Sequence, residues 1–111
     1  MKKSILLIAL LLLSLSSAIA KEAKPQEIQQ NDKVRVYEIT YAPGDTSPVV
    51  KRPMRVIYAI HGGTFERTYD DGSKERAEWK TGETRIISEE RAYGLKNVGK
   101  STIHLYIVAM K

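Results

Sequence analysis

The sequence predicts an all-β domain over residues 33 to 111. Short β-rich runs recur at intervals of about ten residues, glycine or proline pairs stop them, and no segment repeats with a helical period. That spacing suits a sandwich or a closed barrel.

The runs follow in order. Val34, Val36, Ile39 and Tyr41 lie in a first β-rich stretch that ends at Pro43-Gly44. Val56 to Ile60 forms a second, stopped by Gly62-Gly63, and Thr64 to Tyr69 a third. The Asp-Gly pair in "YDDGSK" then marks a tight hairpin, and Ala77 and Trp79 alternate along the returning strand. Thr84 to Ile87 follows the turn at Thr81-Gly82. The last strand is the clearest: Ile103, Leu105, Ile107 and Ala109 share one face, while His104, Tyr106, Val108 and Met110 share the other. Both faces are apolar enough for a strand covered on two sides.

The first twenty residues predict export. Lys2 and Lys3 give a positive start, and an apolar run follows over residues 5–15, which the serines at 14, 16 and 17 bring to an end. Ala18-Ile19-Ala20 supplies the small-x-small site of signal peptidase. The run is too short for a membrane span of about 20 apolar residues. The expected boundaries are therefore a signal peptide at 1–20, a flexible tail at 21–32 ("KEAKPQEIQQND") and the barrel domain at 33–111, in a periplasmic or secreted protein. No membrane association is expected after cleavage. The sequence contains no cysteine, so no disulfide staples the fold. Formal charge falls from +5 to +3 once Lys2 and Lys3 are removed, 16 basic against 13 acidic side chains. So small and scattered an excess argues against a nucleic-acid partner.

Residues 94–101 satisfy G-x-x-x-x-G-K-[ST], the phosphate-cradling loop pattern. That loop requires a helix after it, whose N-terminus faces the phosphates. Here a strand pattern follows Ser101, so Asn97 to Ser101 is read as a turn.

Taken together, residues 33 to 111 resemble a small single-domain cupin of the RmlC-like family. That family carries two motifs, G-x5-H-x-H-x3,4-E-x6-G and G-x5-P-x-G-x2-H-x3-N. Gly44 and Gly63 bracket the first at the right distance, and Gly82 and Asn97 bracket the second. The resemblance implies a jelly-roll β-barrel and a homodimer. By the same spacing, the family's two first-motif histidines fall on Val50 and Arg52, its glutamate on Val56, and its second-motif histidine on Tyr93. Ser88 and Glu90 replace the usual proline and glycine. Valine has no donor atom, and arginine is a permanent cation. Neither metal nor any other cofactor is expected.

The resemblance makes Arg52 and Tyr93 candidates for holding a small anionic ligand at the barrel mouth, with Val50 and Val56 as apolar wall. Tyr58 and Ile60 share the strand parity of Val56 and are expected to face the same interior. Two interiors fit these residues. One is an open mouth holding an anion on the Arg52 fork; the other is a barrel packed solid, with Lys51, Arg52 and Arg55 as solvated loop charges. A metal-free enzyme acting on a sugar or small acid is the alternative function, and it needs a histidine held by a carboxylate. His61 and His104 are the only histidines; His61 is expected to point outward, and the face of His104 is open. A docking or dimerisation surface is the third reading. The balance favours a binding module over an enzyme.

Processed protein from the native host should begin at Lys21. Intact mass spectrometry checks this, and retention of Met1 would refute it.

Overall fold

The computed structural model describes residues 20–88 and 91–111. The predicted signal peptide, Ala20 apart, and Glu90 lie outside these residues. Among those described there are nine strands and no helix: β1 (Gln26–Gln30), β2 (Val34–Tyr41), β3 (Thr46–Val50), β4 (Arg55–His61), β5 (Gly63–Tyr69), β6 (Lys74–Trp79), β7 (Thr84–Ile87), β8 (Tyr93–Asn97) and β9 (Ile103–Met110). They form two antiparallel sheets, a five-stranded one in the order β1-β2-β9-β4-β7 and a four-stranded one in the order β3-β8-β5-β6. The all-β jelly-roll expectation holds.

β9 organises the larger sheet. It pairs with β2 from Val34↔Met110 to Tyr41↔Ile103, and with β4 on its other side. Its alternation sorts the faces as the pattern predicts: Ile103, Leu105, Ile107 and Ala109 are buried. The other face is only half-buried, and no second layer of the described chain covers it. β4 alternates likewise, but Arg55, Ile57 and Ala59 are the buried members, while Tyr58 and Ile60 are exposed.

The chain changes sheet at Gly62-Gly63. A Cβ at Gly62 would lie 2.1 Å from the Trp79 carbonyl oxygen, so only glycine lets β4 pass this close beneath the end of β6. The Gly62 N–H donates to Thr81 Oγ1 at 3.0 Å. The predicted hairpin closes at Gly72, whose φ is +85° and whose N–H donates to the Tyr69 carbonyl.

Residues 21–32 correct the expectation of a flexible tail. Gln26–Gln30 pairs with β2, and Asn31 turns the chain by accepting the N–H groups of Lys33 and Val34 on its side-chain oxygen. Upstream, the Ala23 N–H donates to the Thr46 carbonyl and the Thr46 N–H to the Lys21 carbonyl, both at 2.8 Å. Ala23 is buried in the core. A polar composition says nothing against these backbone bonds, which need only an unpaired strand edge.

The core runs along the inner faces of the strands, and it is filled most tightly at one end of the barrel. Phe65, Ile103, Ala59 and Trp79 fill it, with Tyr41 edge-on to Phe65 at a centroid separation of 4.9 Å. Beside them lies Asn97, 1 % exposed. Its Nδ2 donates to the Tyr41 carbonyl at 2.9 Å and to the Ser101 carbonyl at 2.8 Å, and its Oδ1 accepts from the Gly99 N–H at 3.0 Å. One side chain thus joins the end of β2 to the β8–β9 turn, and that turn, not a phosphate loop, accounts for Gly99, Lys100 and Ser101.

Asn97→Ala should destabilise the fold by about 2 kcal/mol or more, since each buried polar group left unpaired costs about 1–3 kcal/mol. Thermal unfolding checks this, at about 4–8 °C per kcal/mol in a domain of this size. Lys100→Ala, exposed on the same turn, should leave Tm unchanged.

Candidate functional site: an arginine-ringed barrel mouth

Opposite the packed end, the barrel is open. A cavity of about 630 Å³ lies between the inward faces of β2, β9 and β4 and the β3 segment. Alternation builds its walls. Tyr37 and Ile39 come from β2, Leu105, Ile107 and Ala109 from β9, and Arg55 and Ile57 from β4. Glu22, Ala23 and Pro25, the segment that docks on Thr46, form a further side. The interior is therefore not packed solid.

The residues expected at this mouth separate into three groups. Val50 and Arg52 line the cavity. Tyr93 lies behind it, 2 % exposed, opposite Val50 in the β3–β8 pairing. Val56, Tyr58 and Ile60 lie on the outer face of the sheet, which corrects the expectation that they line the interior. The apolar residues of β4 run without a break from Val56 to Ile60, so period alone leaves the inward set undecided; the pairing with β9 selects Arg55, Ile57 and Ala59. The longer of the two spacings that the first motif allows falls on Ile57, which is buried and has no donor atom. Among the described residues no three His, Cys, Asp or Glu side chains gather as metal ligands.

Three guanidinium groups surround Tyr93. The Cζ atoms of Arg52, Arg67 and Arg55 lie 4.5, 4.6 and 5.8 Å from its ring centroid. Arg55 Nη2 also donates to the Tyr93 hydroxyl, and Arg55 Nη1 donates to the Pro53 carbonyl at 3.1 Å. Arg55 is 2 % exposed, and no carboxylate among the described residues pairs with it. Charged side chains this deeply buried are ordinarily paired.

Arg52 is differently occupied. Its Nη1 donates to the carbonyls of Val50 and Tyr93, and its Nη2 donates to Ser47 Oγ and the Pro48 carbonyl. All its terminal nitrogens serve the β3–β8 corner, so the residue expected to be the anion fork is a structural clamp. Arg55 is the cation that sequence reasoning placed in the loop.

Tyr37 was also missed, although Tyr37, Ile39 and Tyr41 form a large alternating set legible in β2. Burial raises the pKa of the Tyr37 phenol above 10.0, and Arg55, Arg35 and Arg52 oppose that shift. Burial likewise raises that of Tyr41, against a hydrogen bond with Ser47. Both phenols are neutral donors at pH 7. Neither histidine shares this space: His104 Nε2 lies 3.2 Å from Glu38 Oε2 on the outer face, and His61, opposite it in the pairing, is exposed.

No family model and no curated protein matches the chain. Solved structures do. A cupin domain from Bordetella pertussis superposes with a TM-score of 0.74 at 17% identity, covering 84% of this chain and 97% of that one. A cupin superfamily protein from Desulfitobacterium hafniense gives 0.60 at 14% identity, over 87% and 84%. A Cupin 2 conserved barrel domain protein from Salinispora arenicola gives 0.55 at 15% identity, over 78% and 73%. At these identities the likeness establishes the fold: the chain is a jelly-roll barrel of the cupin type.

Proposed function

We propose that this protein is an exported, non-catalytic binding module that takes a small anionic ligand into the open end of its barrel. The observation that carries the reading is Arg55, a buried guanidinium beside a cavity, with only neutral partners among the described residues. An anion delivered by a ligand offsets the desolvation of such a group. The wider lining supports the same sign of charge: five cationic side chains, Arg35, Lys51, Arg52, Arg55 and Lys111, of which Arg35 is paired with Glu27, against the side-chain carboxylate of Glu22. The outward placement of the His104–Glu38 pair, the one His–Glu pair among the described residues, favours binding over acid–base catalysis, which most often uses a histidine beside the ligand.

A homodimer through the larger sheet accompanies this proposal. Its outer face carries an apolar row across four strands, Val36, Val108, Val56 and Ile86, directly opposite one another. Ile86 is 71 % exposed, and Tyr58 and Ile60 flank the row.

A thermal-shift panel of small carboxylates and phosphates should contain compounds that raise Tm. A ligand at a hundred times its Kd stabilises the native state by about 2.7 kcal/mol. Arg55→Met should abolish the response, and a response unchanged in that variant would overturn the reading. For the dimer, Ile86→Glu should lower the sedimentation coefficient to that of a single chain; a wild type that already sediments as one chain would refute the pairing.

A further inference from the structure

From the distribution of donors in the cavity we infer the ligand's chemical class: an amphipathic monocarboxylate with an aliphatic or arylalkyl body. This rests on the anion-binding reading and narrows it. Arginine has five N–H donors. Arg52 directs both terminal nitrogens at protein oxygens, four contacts in all. Arg55 gives one hydrogen bond from each terminal nitrogen, so three N–H groups have no acceptor among the described residues. Arg35, the third guanidinium of the lining, is more than a third exposed and is ion-paired with Glu27. The buried part of the cavity therefore offers one planar fork, with the Tyr37 phenol, a neutral donor, on the same lining. A planar carboxylate matches a single fork.

The wall beyond this head group is of the opposite character. Ile39, Ile57, Leu95, Leu105, Ile107 and Ala109 line it, and none of these side chains has a donor or an acceptor. A sugar or sugar phosphate placed there would leave several hydroxyls dry and unpaired. An alkyl or phenyl body instead meets the apolar surface it needs, and about 630 Å³ lies within the range of small-molecule pockets.

Isothermal titration of the full mature chain with octanoate and 4-phenylbutyrate tests this, with 4-phenylbutyramide, gluconate and glucose 6-phosphate as comparators. We expect the two acids to bind and the amide to bind at least tenfold more weakly, with no heat from gluconate or glucose 6-phosphate. Arg55→Met should abolish acid binding. Ala109→Leu keeps the fork and fills part of the cavity; it should weaken both acids at least tenfold while raising the Tm of the free protein. This second variant keeps the test decisive if Arg55→Met fails to fold. Arg55-dependent binding of gluconate or glucose 6-phosphate without binding of the two acids would overturn the ligand class and leave the anion reading standing. An amide that binds as well as its acid, or no binding by any of the five compounds, would overturn both.

Discussion

The reach of Arg55 from β4 to the Tyr93 hydroxyl on β8 governs the open half of this barrel. It is a bond between the two sheets, made at the level where the packed end stops. A leucine in place of Arg55 would bring apolar bulk against Tyr37 and Ile107, and the interior would close as it does around Phe65. A guanidinium cannot shed its charge by burial, and it keeps polar company around it. Tyr93 offers the hydroxyl and an aromatic ring that two further arginines contact. Such cation–π contacts contribute about 0.5–2 kcal/mol each. Charged side chains thus lie at the open end of the barrel, and apolar ones fill the other.

The residues at the motif's four ligand positions do not act as one group. Val50 is an apolar wall, Arg52 clamps the corner between β3 and β8, and Tyr93 is a buried platform. The buried cation of the cavity wall with terminal N–H groups left over is Arg55, which no ligand position of the motif predicts.

Most of the fold was legible in the sequence because its strands alternate. β9 and β2 carry their faces openly, the Asp-Gly hairpin is a two-residue signal, and β7 is bounded by its turn. Three strands were not. β3 contains Pro48 and no alternation, β8 contains Gly94, and β1 is polar but for Ile28; their partners, not their composition, make them strands. The site failed at one point, the parity of β4. Where five apolar residues follow one another, either set can face inward, and only the neighbouring strand decides. A one-residue error there exchanged Arg55 for Val56 and carried Tyr58 and Ile60 with it.

The contacts at β3 have a bearing on solubility. β3 is the outermost strand of its sheet, and an outermost strand invites the backbone of another molecule to add to it. At Thr46 both the N–H and the carbonyl are taken by residues 21–23. Pro48 has no N–H, and its carbonyl accepts from Arg52. The Val50 carbonyl accepts from Arg52 as well. Every second residue along this strand is thereby closed to a further ladder. The N-terminal segment and one arginine act together as a guard against edge-to-edge aggregation, in a protein that has no disulfide to hold its sheets shut.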